Sequence, residues 1–333
     1  MKTIVLTGGG TAGHIIPNLA LLPELKKYFD NIYYIGCGEK DAAIVKPYNI
    51  PFFSIPAVKL ARGKIIANLK IPFIMINAIK KAEKILRELS PNIVFSKGGF
   101  VALPVCYAAK LLGVPVVTHE SDISLGVANK LISSFAEKTI TSFPETKGGV
   151  FLGNPIREEF LVKNQFHDTS DRRKRILITG GSSGSAAINE VVYKCLDELT
   201  KNYDIIHITG NNFKKSYPNS AYTQFSYTNS ICDLMKKSDL IICRSGSNTL
   251  NEVACLGKPC ITIPLPKGAS RGDQILNAES FCRRGYCDVI YQEDLTSTTL
   301  MNHIKNAFDM IPPATGIQNV NKKIVELIID VAK

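Results

Sequence analysis

Short, continuously apolar stretches alternate along the chain with longer stretches in which apolar residues recur every three or four positions. The short stretches are rich in Val and Ile and predict strands at 3–7, 32–35, 93–96, 115–118, 138–141, 175–179, 205–209, 240–243 and 259–264. Because such strands are apolar on both faces and are separated by helical patterns, they indicate parallel sheets covered by helices. The predicted fold class is therefore α/β.

Two segments of the chain share the same pattern. MKTIVLTGGGTAG at 1–13 and KRILITGGSSG at 174–184 are each an apolar strand that runs into a glycine loop. Two such units predict two Rossmann-like, doubly wound lobes that face an interdomain cleft. A polar stretch without apolar periodicity indicates a linker at 163–174, so we expect domains at 1–162 and 175–315. A final amphipathic helix at 316–333 can pack back on the first domain.

Composition excludes several classes of protein. A chain of 333 residues with 45% apolar and 21% charged residues is globular and long enough for two cores. Its nine cysteines are odd in number and form no CxxC pair, which favours reduced thiols over a disulfide or zinc framework. Residues 1–13 lack the pattern of a signal peptide, and the longest apolar run, 101–118, is interrupted by two prolines and a lysine. We expect neither secretion nor a transmembrane span.

The formal net charge of +11 indicates an anionic partner. Between Ala57 and Arg87, a stretch we call the basic apolar segment, eight basic residues and one acidic residue are interleaved with large apolar residues. This mixture favours contact with an anionic membrane surface, whereas a nucleic-acid groove would need more arginine and stacking aromatic residues. We therefore expect no nucleic-acid partner. An ordinary amphipathic helix with a buried apolar face is the alternative.

Candidate chemistry in the first half follows the ends of strands. His14 lies where the first glycine loop enters a helix, so its imidazole could face a diphosphate or a reacting hydroxyl. Further polar loops at 96–100 and 118–122 follow the next two strands. Because such loops meet at one edge of a parallel sheet, these residues should converge: His14, Gly98, Gly99, His119, Glu120 and Asp122. Alternatively, His14 caps or packs, and His119 with Glu120 only holds its loop together.

The first loop also satisfies GxGxxG through Gly8, Gly10 and Gly13, a pattern typical of dinucleotide-binding proteins. The second strand ends at Ile35-Gly36-Cys37 and supplies no acidic residue for a ribose. A nicotinamide oxidoreductase is therefore the weaker interpretation. Neither HExxH nor a comparable metal-ligand spacing is present.

The densest polar group in the second half is CRSGSNTLNE at 243–252. A strand ends there, the chain turns at Gly246, and a helix begins that we expect to be capped by Ser247, Asn248 or Thr249. Such a helix start favours a pyrophosphate, and Glu252 could accept two hydrogen bonds from a ribose diol. A second group, in RGDQILNAE, could reach sugar hydroxyls: Asp273, Gln274 and Asn277.

Together these motifs resemble one family. GGGTAGH, SKGGFVALP, HESD followed by ANK, GNPIRE, GGSSGS, CRSGSNT followed by NE, and DQILNAE occur in the order and spacing of the MurG family. The resemblance covers residues 1–333 and implies a GT-B fold and an inverting transfer of GlcNAc. The donor would be UDP-GlcNAc and the acceptor the 4-hydroxyl of the muramoyl sugar of lipid I, giving lipid II for peptidoglycan. It also implies a peripheral location on the cytoplasmic face of the cell membrane, with no cofactor or metal.

The resemblance also implies roles for individual residues. Donor contacts fall on Thr11, Ala12, Gly13, Asp122, Arg157, Ser182, Thr228, Ser247, Asn248, Thr249, Leu250, Asn251, Glu252 and Gln274. Among these, Glu252 would hold the ribose, 247–249 the phosphates, Gln274 the GlcNAc and Thr228 the uracil. His14 and Glu120 resemble the family's candidates for deprotonating the acceptor or orienting the lipid diphosphate, and are the predicted catalytic residues.

Several positions depart from the family pattern. HESD at 119–122 stands where HEQN is common, so Asp122 places a carboxylate, which only accepts, where an amide would also donate. Ser183, Ser185 and Asp273 replace Gln, Ala and Gln, and Ala12 stands where Gly is commoner. These changes keep open a related UDP-sugar transferase with a different acceptor, or a non-catalytic protein that binds a sugar nucleotide or lipid.

Overall fold

The structure, a computed structural model, describes residues 1–57, 71–162, 172–181, 183–268, 272–313 and 319–332. The chain divides into two compact units, Met1–Arg157 with Ile317–Lys333, and Glu158–Gly316. The main segment of the first unit thus ends at Arg157, whereas the sequence pattern predicts a domain end at residue 162. Of the predicted linker, residues 163–171 lie outside the described residues.

The first unit is built on a seven-stranded sheet. Its strands are β1 Thr3–Thr7, β2 Asn31–Gly36, β3 Phe52–Ser54, β4 Ile93–Ser96, β5 Val116–Glu120, β6 Lys138–Thr141 and β7 Val150–Phe151. They lie in the order β3-β2-β1-β4-β5-β6-β7, and all neighbours are parallel. The order reverses between β1 and β4, so the loops after these strands meet at the switch point of the sheet, where ligands bind in open α/β folds.

Helices connect these strands: α1 Ala12–Ala20, α2 Leu22–Leu25, α3 Gly38–Val45, α4 Ile71–Leu89, α5 Ala102–Leu111 and α6 Val127–Ile132. Two apolar layers cover the faces of the sheet. On β1, Ile4 and Leu6 pack into one layer and Val5 into the other, because successive side chains point to opposite faces.

The second unit contains a six-stranded sheet. Its strands are β8 Arg175–Thr179, β9 Asp204–Ile208, β10 Tyr222–Phe225, β11 Leu240–Cys243, β12 Cys260–Thr262 and β13 Asp288–Val289. Their order is β10-β9-β8-β11-β12-β13, again with parallel neighbours. This order reverses between β8 and β11, so the second glycine loop and the 243–252 motif follow adjacent strands.

The helices of the second unit are α7 Glu158–Leu161, α8 Ala186–Lys194, α9 Leu196–Asn202, α10 Ile231–Lys237, α11 Ser247–Leu256, α12 Asp273–Arg283 and α13 Ser297–Ala307. The last helix, α14 Val320–Val331, belongs to the first unit. There Asn321, which is buried, donates to the carbonyl oxygens of Ala20 and Ile156 at 3.1 and 2.7 Å and accepts from the amide of Ile156 at 2.9 Å. A buried amide with these partners fixes α14 against the end of α1.

All nine predicted strands are present, and the prediction of parallel α/β sheets is confirmed. Four further strands, β3, β7, β10 and β13, lie at the sheet edges and have two to four residues each. Among the described residues, no helix is long and apolar enough to cross a membrane. All nine cysteines are within the described part of the chain and are free thiols, six of them buried.

Candidate active site

His14 lies in the first turn of α1, directly after the first glycine loop. Its Nδ1 is 3.0 Å from the carbonyl oxygen of Lys97. Because a carbonyl oxygen only accepts, Nδ1 carries the hydrogen, and the lone pair of the neutral ring is on Nε2. Gly99 makes room for this ring, since a Cβ at that position would lie 3.1 Å from Cδ2 of His14. The imidazole is therefore held in the tautomer in which Nε2 can accept a proton.

Glu120 is buried at the end of β5 and organises the loop that follows. One carboxylate oxygen accepts the amide hydrogen of Asp122 at 3.0 Å. The other accepts from the amide of Gly126 at 2.9 Å and from Nδ2 of Asn129 at 2.8 Å. These contacts are those of a residue that shapes the loop. They hold the backbone of Asp122 against the Glu120 carboxylate.

His119 is buried and bridges two parts of the first unit. Its Nε2 is 2.9 Å from the carbonyl oxygen of Gly153, so Nε2 carries the hydrogen and Nδ1 accepts from Lys97 Nζ at 2.6 Å. Burial, and then the nearby lysine, hold the pKa of His119 well below its usual value. The ring is therefore neutral and has different hydrogen-bond partners from Glu120.

Lys97 is a member of this network to which the sequence pattern assigned no role. It follows β4 directly and is 1% exposed. Its ammonium group contacts three polar atoms, His119 Nδ1 at 2.6 Å, Ser121 Oγ at 2.7 Å and Asn154 Oδ1 at 3.3 Å. Burial lowers the pKa of Lys97 to about 7, and the negative charges of Glu120 and Asp122 act in the opposite direction by raising it. The only signal in the sequence was a lysine directly after an apolar strand.

The first glycine loop is held by Asp41 on α3, another residue that the sequence pattern did not single out. Both oxygens of this buried carboxylate lie near the amide nitrogen of Gly10, at 3.2 and 3.1 Å, and one also accepts from the amide of Cys37 at 3.0 Å. A Cβ at Gly9 would overlap the same carboxylate. The loop therefore already holds an anion of its own at Gly10, and the predicted contacts at 11–13 lie just beyond it as exposed residues.

The second glycine loop is held by a cation. Arg244, directly after β11, is 8% exposed and binds four neutral oxygens: Ser185 Oγ at 2.6 Å, Gln292 Oε1 at 2.7 Å, Ile263 O at 3.0 Å and Pro264 O at 3.2 Å. Its positive charge therefore lies beside the loop with neutral hydrogen-bond partners. The two similar loops differ in electrostatics, and the second favours an anionic ligand.

Helix α11 begins at Ser247, and its N-cap is Gly246. The predicted side-chain cap by Ser247, Asn248 or Thr249 is therefore wrong, because the helix starts at the first of these residues. A glycine cap offers no side-chain oxygen to the first-turn amides, an arrangement that leaves the positive helix end suited to an external anion.

The predicted donor contacts on α11 separate into two groups. Leu250 is 1% exposed, and its amide donates to Gly246 O at 3.0 Å. Asn251 is buried and donates to Ser247 O at 2.8 Å, so both residues serve the helix itself. The half-buried members are those with side chains at the surface: Asn248, Thr249 and Glu252.

Helix α12 contains all three residues predicted to reach sugar hydroxyls, Asp273, Gln274 and Asn277, and Asp273 is buried. Gln274 is half-buried, and its Oε1 accepts from the amide of Leu265 at 3.1 Å. Leu265 follows Pro264, whose carbonyl binds Arg244, so one loop orients both side chains. Asn277 is fully buried and donates to Ser245 O at 3.2 Å, which is a structural contact.

The remaining predicted contacts are spread along the chain. Thr228 is half-buried, and its Oγ1 accepts from the amide of Ser230 at 3.0 Å just before α10. Arg157 is half-buried at the last position of the first unit's main stretch. Ser182 lies outside the described residues.

Comparison with known proteins identifies the family. The glycosyltransferase family 28 N-terminal domain matches residues 4–141, and the C-terminal domain of the same family matches residues 175–330. A Clostridium botulinum (strain Loch Maree) protein is 43% identical over 349 residues, covering 98% of this chain and 99% of that protein. The crystal structure of Acinetobacter baumannii MurG is 26% identical, with a TM-score of 0.79 over 99% of this chain and 100% of that one. This chain belongs to the MurG family.

Membership of the MurG family confirms the predicted GT-B fold class of two parallel-sheet lobes. The Clostridium botulinum relative is named UDP-N-acetylglucosamine--N-acetylmuramyl-(pentapeptide) pyrophosphoryl-undecaprenol N-acetylglucosamine transferase. A Bacillus cereus relative with the same name and the number 2 is 42% identical over 320 residues, covering 92% of this chain and 91% of that protein. The chain thus aligns with MurG proteins along nearly its whole length.

Proposed function

We infer that this protein transfers N-acetylglucosamine from UDP-N-acetylglucosamine to the lipid-linked N-acetylmuramyl-pentapeptide of lipid I, forming lipid II. The observation that carries this inference is the nearly full-length identity of 43% to a transferase whose name states that donor and that acceptor. The buried Arg244 beside the second glycine loop fits the anionic nucleotide of that donor.

The second unit is the donor side in this proposal. Glu252 holds the ribose, the first turn of α11 faces the diphosphate, and Gln274 holds the sugar. The buried Arg244 charge and the positive end of α11 both favour the negative charge that develops on the departing UDP. Asn251 and Leu250 support this helix start from within.

The first unit supplies the proton acceptor. Nε2 of His14 takes the proton of the acceptor 4-hydroxyl as that oxygen attacks the anomeric carbon of the donor. A new carbon–oxygen bond forms, the bond to the diphosphate oxygen breaks, and UDP leaves with the electron pair. Attack opposite the leaving group inverts the anomeric carbon. In this proposal Glu120 positions the loop that meets the acceptor.

The transfer reaction tests this proposal directly. Pure protein incubated with labelled UDP-GlcNAc and a short-chain lipid I analogue should yield one labelled disaccharide lipid for each UDP released. Matched incubations contain UDP-glucose in place of UDP-GlcNAc, or the analogue with its 4-hydroxyl removed, and should give no product. Release of UDP without labelled lipid, or equal transfer to the deoxy analogue, would contradict the proposal.

The membrane part of the proposal depends on α4, because residues 58–70 of the basic apolar segment lie outside the described residues. The second half of α4 buries Ala78, Ala82, Ile85 and Leu86, as an ordinary amphipathic helix would. Its first half differs, since Phe73 and Ile76 are 73% and 51% exposed. Exposed lysines follow at 80, 81 and 84. Apolar side chains beside cations favour a peripheral contact with anionic lipid at the cytoplasmic face of the cell membrane.

Reversing three charges on α4 should weaken membrane binding. The triple variant Lys80→Glu, Lys81→Glu, Lys84→Glu is expected to bind phosphatidylglycerol-rich vesicles about 100-fold less tightly, because each of the three lysines near such a surface contributes about 1 kcal/mol. Co-sedimentation measures the bound fraction. The matched control reverses three exposed lysines of the second unit, Lys194, Lys201 and Lys305, with the same change in net charge. Equal loss in both triple variants would show that net charge alone, and not α4, governs binding.

A further inference from the structure

His14 is held by the backbone of residues 97–99. Its ring is bound by the carbonyl of Lys97 and packs beside Gly99. Residues 98 and 99 are both glycine, so they offer no side chain that could fix the loop. Their backbone is held by Gly98 N, which donates to Ser96 Oγ at 3.0 Å, and by Gly99 O, which accepts from Ala102 N at 3.2 Å. Within 97–99, Lys97 is therefore the residue whose side chain can fix the segment.

Lys97 anchors this segment through both its backbone and its side chain. Its amide donates to Thr7 O at 3.0 Å, which ties it to β1. Its side chain is buried, and its ammonium group contacts the three partners described above, on β5, on the loop after β5 and on the segment after β7. Asn154, the partner on that last segment, also accepts from Ser121 at 3.1 Å and Ser142 at 3.2 Å. One side chain thus links the loops after β4, β5 and β7.

The charge of this group is balanced locally. Glu120 and Asp122 are the charged groups that act on Lys97, and Ser121 between them is its hydrogen-bond partner. Ser121 and Asp122 are the two positions at which HESD departs from the HEQN common in the family. The carboxylate at 122, where an amide is common, therefore favours the charged form of the buried Lys97 amine.

We propose that Lys97 is a positioning residue for His14, which it holds in the proton-accepting tautomer by fixing the 97–99 backbone through its buried contacts with Ser121 and Asn154. The inference rests on the proposed function, in which His14 receives the acceptor proton. It extends that function by linking the altered residues Ser121 and Asp122 to the orientation of the imidazole.

Lys97→Met tests this role, because methionine matches the four-atom stem of lysine but lacks the terminal nitrogen, which removes the charge and all three hydrogen bonds. We expect kcat for transfer to fall about 10- to 100-fold, as expected for a displaced catalytic group, while the Kd for UDP stays within about twofold. The exposed Lys46 of the same unit provides the control, and Lys46→Met should leave both values unchanged. Ser121→Ala removes a single partner and should lower kcat about two- to tenfold.

A spectroscopic measurement separates positioning from general loss of structure. The chain has five histidines, so nitrogen-15 histidine spectra are simple, and the His14→Ala variant assigns the His14 signals. Wild-type protein should show the Nδ1–H tautomer at His14, and both Lys97→Met and Ser121→Ala should shift it toward a mixture of tautomers. This readout needs no transfer, so it remains informative if the proposed function fails.

Unchanged His14 signals in a folded Lys97→Met variant, or kcat within twofold of wild type, would overturn the inference. If Lys97→Met does not fold, Ser121→Ala decides by the same two criteria. A wild-type protein without transfer activity contradicts the proposed function instead, and is thereby distinguished from failure of the Lys97 inference.

Discussion

His14→Ala is expected to lower kcat for GlcNAc transfer by about 10²- to 10⁴-fold, the usual contribution of a positioned general base. Nε2 of this ring has the lone pair that accepts the acceptor proton, because Nδ1 is committed to the carbonyl of Lys97 at 3.0 Å. The Kd for UDP should stay within about twofold, because the proposed ribose and diphosphate contacts lie on Glu252 and the first turn of α11. Steady-state transfer rates and UDP titration calorimetry measure the two effects separately.

Two further variants sharpen this result. His14→Asn retains an N–H group able to donate to Lys97 O but has no proton-accepting nitrogen. Its kcat should therefore be as low as that of His14→Ala, while its free energy of unfolding stays that of the wild type. Glu252→Gln should show the opposite division, with a raised KM for UDP-GlcNAc and a smaller effect on kcat, because a ribose contact acts mainly on binding. Turnover close to wild type in His14→Asn would exclude the imidazole as base.

The centre of each sheet could be predicted from the sequence, whereas the edges could not. Strands such as β1 and β4 are buried on both faces and are therefore continuously apolar, which gives a strong signal. Edge strands β7 and β13 have two residues each, and β7 is exposed. Strands this short form because a neighbouring strand offers its backbone, so their own sequence carries almost no pattern.

The sequence predicts a candidate site where neighbouring strand ends carry their own polar residues. His14 and Glu120 follow strands, and topology alone brings such residues to one edge. Asp41 and Lys97 were missed because their partners are distant in sequence, 31 residues from Asp41 to Gly10 and 83 from Lys97 to His14. Which of many buried or half-buried polar residues meets a given loop depends on the three-dimensional register, which a single sequence does not reveal.

The prediction of a side-chain cap for α11 was wrong for a local reason. Ser247, Asn248 and Thr249 are all good capping residues, so propensity could not decide among them. The structure uses Gly246 instead, and the polar residues become the first turn of the helix. A motif rich in capping residues therefore marks a helix start only to within a residue or two.

Gly184→Ala is expected to be the most destabilising small substitution in the second glycine loop, lowering the free energy of unfolding by about 3 kcal/mol or more. Gly184 has a φ of +74°, and a Cβ there would overlap the carbonyl oxygen of Thr209. That oxygen also accepts from Asn189 Nδ2 at 2.8 Å, so it cannot retreat without breaking a buried hydrogen bond. The backbones of the loops after β8 and β9 must therefore separate. Urea unfolding measures the loss.

Gly181→Ala provides the matched control within the same loop. Gly181 has a similar φ of +84°, but a Cβ there would meet no atom of the described residues within 4 Å. The free energy of unfolding of Gly181→Ala should therefore fall only by the strain of a left-handed alanine, about 1–2 kcal/mol. The difference between the two variants isolates the close approach of the loops. Because Ser185 in this loop binds Arg244 at 2.6 Å, Gly184→Ala should also weaken UDP binding, whereas Gly181→Ala should not. An equal rise in the Kd for UDP in both variants would show that backbone strain, and not the contact between the loops, controls the donor site.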